Sequence, residues 1–388
     1  MSGIDPSFFH PDLTAVGRAL TDLLSETEQP ALPGTVPPRG LGTEEALRIV
    51  AGFVIAVGPG LDDPTSMAHM DPPTPWPTWV SAALAASSNQ NLLHEATGQA
   101  GRVLETWVVD RITPRFGMSG GHLTPGSTLA NLTAIWAARE ITGASTVVAS
   151  DMAHLSVPKA ARILGMDFHS VATTPVGALE PDDLGDLSNS VLVLTAGSTA
   201  TGSIDPLSVG SDALWRHVDA AWAGPLRWST ANAHVLDGIE TADSVAVSGH
   251  KWLFQPKESA AILFRDVDTA HDAISTGGAY LATPNVGVLG SHGVGAAAAL
   301  AATMLSVGDD GIANLVDHCM GLADNLVERI EADPDLVHLA GNQAGLVVWC
   351  ARDGRERPAG VSEATVNGES WWRCVAANPM ANPDQVIS

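Results

Sequence analysis

Between residues 120 and 265, short β-branched runs alternate with segments of helical period, and this alternation constrains the fold more than any other feature of the chain. The runs Thr146–Ala149, Val191–Thr195, Ser244–Val247 and Ala260–Phe264 are separated by connections that include the helix-period stretches Leu129–Ile141 and Val157–Leu164. Short apolar strands alternating with helices pair into a mostly parallel sheet covered by those helices. The expectation is an α/β domain whose functional groups stand at the carboxyl ends of the strands.

The flanks read differently. Residues 296–331 predict two helices, the second amphipathic through Leu315, Leu322, Leu326 and Ile330. The runs Leu346–Ala351 and Trp371–Ala377 predict strands of a small C-terminal α+β domain. Toward the N-terminus, helices over Leu13–Leu24 and Thr43–Val54 enclose a Pro- and Gly-rich linker, Pro30–Gly42. The stretch Met70–Pro77 is expected to be extended or turned, because each proline removes a donor and restricts its predecessor. The division expected is a helical arm over 1–68, a large domain over 69–270 and a trimmed small domain over 271–388.

Composition narrows the partners. With 388 residues, 45% of them apolar, the chain can bury one large core and a satellite. Its 43 acidic and 19 basic residues give a net charge of −24, which repels phosphate backbones and anionic lipid, so neither nucleic acid nor membrane is an expected partner. Cys319, Cys350 and Cys374 lie far apart, with no CxxC pair and no histidine cluster at ligand spacing, so neither a disulfide framework nor a metal site is expected. No basic-then-apolar leader opens the sequence, and the longest apolar candidate, Gly293–Leu305, is too short to span a bilayer. A cytoplasmic location is the expectation.

Four stretches can carry chemistry. Leu123–Asn131 is a loop opening into a helix, with Gly126, Ser127 and Thr128 placed to offer backbone N–H and hydroxyl donors to an anion, or simply to cap the helix. His154 follows a strand and precedes a helix, where an imidazole can lie against an aromatic ring or cap a turn. Asp219 ends the apolar run before Ala220-Ala221-Trp222; buried there it requires a cationic partner, unless it only caps the next turn. Lys251, 32 residues later, sits among His250, Trp252, Leu253 and Phe254, where desolvation would lower its pKa and suit it to Schiff-base chemistry, although a lone lysine also snorkels to the surface. The chain has only three lysines, Lys159, Lys251 and Lys257. The order of these four features is more specific than any one of them.

The stretches Thr124–Asn131, Ala153–Gly165, Thr195–Pro206, His217–Gly224 (HVDAAWAG) and Asp243–Arg265, which contains HKW, resemble the group II pyridoxal-5′-phosphate-dependent amino acid decarboxylases. That family includes the glutamate, cysteine-sulfinate, aromatic amino acid and diaminobutyrate decarboxylases. The similarity reaches upstream to His69 and Asn89 and downstream to Trp371–Pro379, about 300 residues in all. It implies fold type I, the aspartate-aminotransferase-like fold, with decarboxylation of an L-amino acid to its amine. It implies that Lys251 holds the cofactor as a Schiff base, Asp219 pairs with the pyridine nitrogen, His154 stacks on the ring and Ala221 packs on its other face. Gly126, Ser127, Thr128 and His250 would line the phosphate; Thr195 and Ser198 would lie near the ring substituents. Arg373 would grip the substrate α-carboxylate, a task that suits a guanidinium. His69 and Asn89 fall in loops expected to set side-chain specificity, and a homodimer sharing its active sites is implied.

Two departures qualify the resemblance. The family's long mobile loop, which bears a tyrosine thought to return a proton to the substrate, corresponds to the much shorter Tyr280–His292. Tyr280, the chain's sole tyrosine, aligns with the entrance of that loop, and His292 is the other candidate acid. A polar stretch beginning Arg352–Pro358 also replaces a helix that normally precedes the closing strand. Losing the acid would open other outcomes on the same scaffold: decarboxylation coupled to oxidative deamination by dioxygen, transamination or racemisation. A non-catalytic cofactor-binding protein is a further alternative.

Overall fold

The computed structural model describes residues 12–387 apart from Val36, Arg39, Val57, Pro59, 279–284 and 341–342. Two compact units make up the chain, one ending at Leu61 and one beginning at Asp62. The first holds helices α1 (Leu13–Leu23) and α2 (Thr43–Val54), very near the expected bounds. Asp12 caps α1 by accepting the Thr14 N–H at 2.9 Å, and Gly52 of α2 packs on Pro30.

The second unit begins with α3 (Trp76–Ser88) and α4 (Glu95–Ile112). Here the Pro-rich expectation needs correction, because Pro77 lies inside the first turn of α3 instead of in extended chain. First-turn N–H groups have no partner within a helix, so a proline costs nothing there. The chain then runs through β1 (Gly120–Thr124), α5 (Ser127–Thr142), β2 (Thr146–Ser150), α6 (Ser156–Leu164), β3 (Asp167–Val171), β4 (Ser190–Thr195), β5 (Trp215–Asp219), β6 (Ser244–Ser248) and β7 (Ala260–Phe264). These strands form one sheet in the order β1-β7-β6-β5-β4-β2-β3. The pairs from β6 through β5, β4 and β2 to β3 are parallel, and β7 runs antiparallel to both β6 and β1. Strands β4, β6 and β7 are buried along their whole length, which explains their unbroken apolar sequences. Edge strand β3, Asp-Phe-His-Ser-Val, is exposed at four of five positions and so lacks that signature.

Beyond the sheet come α7 (Val267–Ala273), the short pair β8 (Ser275–Thr276) and β9 (Asn285–Val286), and α8 (Gly295–Ala332). Gly308 in α8 has φ 65° and ψ −175°, so two helices meet at a break, as the sequence predicts. A second, antiparallel sheet follows in the order β10 (Leu336–Ala340), β11 (Leu346–Ala351), β13 (Glu369–Val375), β12 (Ser362–Val366), and α9 (Pro383–Val386) ends the described fold. No helix forms between β11 and β12. Among the described residues no helix is long and apolar enough to cross a membrane.

The two sheets are tied by indole rings. Trp222 and Trp252 stack with centroids 4.4 Å apart. Their Nε1–H groups donate to the carbonyls of Ala344 (2.6 Å) and Ala376 (2.8 Å), at the ends of the strands of the small sheet. Both rings are almost wholly buried, so each contributes apolar burial and a satisfied polar tip together. The residues next to them in sequence, Ala221 and Lys251, are thereby fixed against the carboxyl edge of the large sheet.

Candidate active site

The carboxyl ends of β1, β2, β4, β5 and β6 converge on a cavity of about 350 Å3. Its wall includes Gly126, Ser127 and Thr128 after β1, His154 after β2, Thr195 at the end of β4, Asp219 and Ala221 at the end of β5, and His250 and Lys251 after β6. Nine positions separated by up to 125 residues in the sequence thus meet in one place, because a parallel sheet brings every carboxyl end to the same edge.

Gly126 has φ 119°, and its lack of a side chain leaves the start of α5 open toward the cavity. Ser127 Oγ lies 2.5 Å from Ser248 Oγ, and His250 donates from Nδ1 to the Ser259 carbonyl at 2.9 Å. The free N–H groups and positive dipole end of a sixteen-residue helix, with hydroxyls beside them, make this end of the cavity a place for an anion. At the other end Asp219 is 5% exposed; its Oδ1 accepts the Ala221 N–H at 3.1 Å and its Oδ2 accepts Asn131 Nδ2–H at 2.7 Å. Burial lowers the Lys251 pKa, with the charges of Asp219 and Asp71 opposing and Lys257 adding to the fall. Burial likewise lowers His154, against the opposing charge of Asp219. A desolvated amine gives up its proton more readily and is the better nucleophile for it.

Thr195 is 4% exposed and its Oγ1 has no hydrogen-bond partner although it lines the cavity. A buried hydroxyl is rarely left so unless something else satisfies it. Ser198 stands apart from the wall, buried in a hydroxyl cluster with Thr201 and Ser203 that anchors to the Gly177 carbonyl. Behind Thr195, the Asp205 carboxylate accepts the N–H groups of Thr195 and Leu179, each at 2.7 Å.

Arg373 does not line this cavity but abuts it. Its guanidinium donates to Ser362 Oγ (3.0 Å) and to the carbonyls of Thr199 (2.6 Å) and Ala68 (3.0 Å), and Thr199 is a wall residue. Asn89 and His292 line an adjoining cavity of about 540 Å3, which shares Pro125, Lys257 and Glu258 with the first. His69 is exposed and lines neither. Lys257, at the shared mouth, is ion-paired with Asp71. Tyr280 lies outside the described residues.

Sequence reasoning overlooked the layer behind the wall. His217, Asn131, Ser156 and Ser244 are all buried and joined by hydrogen bonds to Asp219 and His154. Two signals were available. Strand period 2 puts His217 on the same face as Asp219, and helical period puts Asn131 on the face of Ser127.

The buried imidazole of His217 and the half-buried one of His122 are held neutral, and this has a measurable consequence. Burial drives His217 down to about 4 and His122 to about 3, from an ordinary 6.5. Their folded pKa values lie below the unfolded ones, so the stability they contribute is full above pH 6.5 and is lost as pH falls toward those values. Burial raises Asp205 from 3.8 to about 6, so it acts in the opposite sense, losing stability as pH rises through that value. Two groups outweigh one: the thermal unfolding midpoint should fall on acidification from pH 7 to 5. The fall should be shallower in His122→Gln, and an equal slope in the two proteins would contradict the assignment.

The comparisons with known proteins point one way. Residues 53–352 match the family model of the pyridoxal-dependent decarboxylase conserved domain. The L-2,4-diaminobutyrate decarboxylase of Acinetobacter baumannii is 26% identical over 364 residues, covering 80% of this chain and 71% of the relative. The enzyme of that name from Rhizobium meliloti (strain 1021) is 30% identical over 284 residues, covering 64% of this chain but only 56% of its own length. In fold the chain is similar to Catharanthus roseus tryptophan decarboxylase, with a TM-score of 0.85 at 17% identity, covering 100% of this chain and 97% of that one.

Proposed function

The chain belongs to the pyridoxal-dependent decarboxylase family, and from that premise we propose that it removes the α-carboxylate of an L-amino acid to give the amine, with Lys251 as the residue that bonds the cofactor. The observation that carries the proposal is the single cavity in which Lys251, Asp219, His154 and the partnerless hydroxyl of Thr195 meet.

The residues fit pyridoxal phosphate. The open start of α5 with Ser127, Thr128 and His250 suits the phosphate; the Asp219 carboxylate suits a protonated ring nitrogen; Thr195 Oγ1 offers the unused hydrogen bond that a ring oxygen would take. When bound, the cofactor supplies an electron sink for the pair released by the breaking Cα–carboxylate bond. The protein's own work is alignment and electrostatics. Lys251, its pKa lowered by burial, would be the residue that holds the cofactor and exchanges it for the substrate amine. Asp219 would keep a proton at the ring nitrogen, and His154 and Ala221, both on the cavity wall, would hold the ring in place. Arg373 has N–H groups beyond the three it spends on Ser362, Thr199 and Ala68, and these support its reading as the anchor that sets the scissile bond across that plane. Asn89 and His292, in the adjoining cavity, are read as neighbours of the substrate side chain; His69, exposed, is assigned to a loop that a second subunit would cover.

We read the assembly as a homodimer in the cytoplasm. Trp76, Trp79 and Leu84 of α3 and Leu305 of α8 are 68%, 52%, 64% and 71% exposed. Apolar side chains of that size on neighbouring helices support burial against a second copy.

A second reading rests on the chain's having one tyrosine, Tyr280, at the entrance of the shortened loop. Without an acid at the loop tip, the carbon that has lost CO2 can instead give its electrons to dioxygen. The amino acid, O2 and water would then yield aldehyde, CO2, ammonia and hydrogen peroxide. The deciding experiment incubates the loaded protein in air with a panel of L-amino acids and identifies products by mass spectrometry. An amine lacking only CO2 is the expected product; an aldehyde with peroxide would overturn it in favour of the oxidative reaction.

A further inference from the structure

Behind the cavity, six buried side chains form a chain of hydrogen bonds whose direction can be worked out link by link. Trp215 Nε1 donates to Ser244 Oγ at 2.9 Å, and Ser244 Oγ lies 2.9 Å from His217 Nδ1. His217 Nε2 lies 3.0 Å from Asn131 Oδ1. The Asn131 amide nitrogen faces two oxygens, Asp219 Oδ2 at 2.7 Å and Ser156 Oγ at 2.8 Å. Ser156 Oγ in turn lies 2.8 Å from His154 Nδ1. Asn131, His217 and Ser244 are fully buried, and Ser156, Asp219 and Trp215 are 2%, 5% and 8% exposed. With so little access, solvent does not relieve a mismatched pair, and each link must match donor to acceptor.

An ionised carboxylate only accepts, so Asn131 must turn its NH2 group to Asp219. Its oxygen then faces His217, which must carry its proton on Nε2. A neutral imidazole protonated there has a bare Nδ1, which Ser244 O–H fills. The remaining lone pairs of Ser244 meet Trp215, a group that can only donate. The other hydrogen of Asn131 goes to Ser156, and the Ser156 backbone N–H reaches His154 Nδ1 at 3.2 Å, so that nitrogen accepts, the Ser156 hydroxyl donates to it, and the His154 proton is left on Nε2. From Trp215, which can only donate, to Asp219, which only accepts, every link has one permitted direction.

We propose that His217, acting through Asn131, is a positioning residue of this site: it orients the amide that donates to Asp219 and, by way of Ser156, fixes His154 with its proton on the nitrogen away from Ser156. The inference rests on the reading of Asp219 and His154 as cofactor partners. Neither His217 nor Asn131 lines the cavity.

Three replacements at His217 separate positioning from mere filling of space. Glutamine places an amide near the Nε2 position and can still donate to Asn131; asparagine reaches only the Nδ1 position, and leucine offers no donor. Loaded His217→Gln should keep kcat within about threefold, whereas His217→Asn and His217→Leu should lose about tenfold to a hundredfold in kcat with KM little changed, as for other groups that orient a functional imidazole from behind. The pH midpoint of the loaded enzyme's visible absorbance should rise in the Asn and Leu variants and stay in place for Gln. A readout independent of turnover is the 15N spectrum of the full chain labelled at histidine. His217 and His154 should both show the neutral Nε2–H pattern, and the His154 Nδ1 resonance should shift in Ser156→Ala, where the Ser156 backbone N–H at 3.2 Å is the one donor left to it. A proton on Nδ1 of His217, or an asparagine variant as active as the glutamine one, would overturn the proposal. The wild-type spectrum decides even where a variant does not fold, or where no amino acid is decarboxylated.

Discussion

Lys251→Ala is expected to yield a folded protein that releases no CO2 above the blank, a loss of more than about a thousandfold. The amine it removes has no substitute. Lys159 lies on α6 and not on the cavity wall, and Lys257, which does share that wall, is exposed and held by Asp71. Burial keeps the Lys251 amine below its ordinary pKa, so it gives up its proton more readily than an exposed lysine would. The backbone beneath it should persist, because the turn is held by Phe254 N–H to the Lys251 carbonyl at 2.8 Å and by buried Trp252 rather than by the amine. Removing a desolvated amine should leave the unfolding midpoint unchanged or raised. Activity, the visible absorbance of the loaded protein and thermal unfolding measured together test this. Lys257→Ala is the control and should keep the absorbance band. A Lys251→Ala protein that kept both band and turnover would end the assignment.

The contrast between the wall and the layer behind it shows what was legible in the sequence. Strands β4, β6 and β7 are buried on both faces and therefore read as continuous apolar runs, and the groups at their ends could be located by counting to where each run stops. Strand β3 could not be seen, because an edge strand exposing Asp167, Phe168, His169 and Ser170 owes its conformation to pairing with β2 and not to its own composition. Helices α3 and α4 were likewise missed. Prolines precede α3, and α4 mixes glycines and charges into its buried face at Gly98 and Gly101, where a side chain would strike Asn91 and Leu92. The placement of His154, Asp219 and Lys251 in one cavity follows from parallel topology, which alternation alone predicts. The partners of Asn131 span 25 to 88 positions and depend on how α5 rests on the sheet, which no local pattern encodes.

Asp219→Asn should be nearly as damaging as loss of the lysine, and for a reason the hydrogen bonds make specific. Both carboxylate oxygens accept: Oδ1 from the Ala221 N–H and Oδ2 from Asn131. An amide can satisfy only one of these. Its NH2 group must face either the Ala221 N–H or the Asn131 NH2, two donors meeting in a site 5% exposed. Such a buried mismatch costs about 1–3 kcal/mol. Asn131 can relieve it only by flipping, and that turns its NH2 toward His217 Nε2–H and withdraws the donor from Ser156. The single substitution therefore removes the negative charge that would hold a proton on the ring nitrogen and disturbs the imidazole on the other side of the cavity. A fall in kcat of about a thousandfold or more is expected, comparable to removing the carboxylate behind a catalytic histidine elsewhere. Cofactor affinity should drop at the same time, read by titrating the apo-protein with pyridoxal phosphate. Asp219→Glu keeps the charge but lengthens the side chain, so it should restore part of the affinity while leaving the Asn131 contact strained. The paired variant Asn131→Asp in the Asp219→Asn background supplies the decisive comparison. It returns an acceptor to face the new amide, so it should recover stability. It puts the charge one residue farther from the ring, so it should not recover kcat. Recovery of both would mean that the carboxylate serves the fold alone.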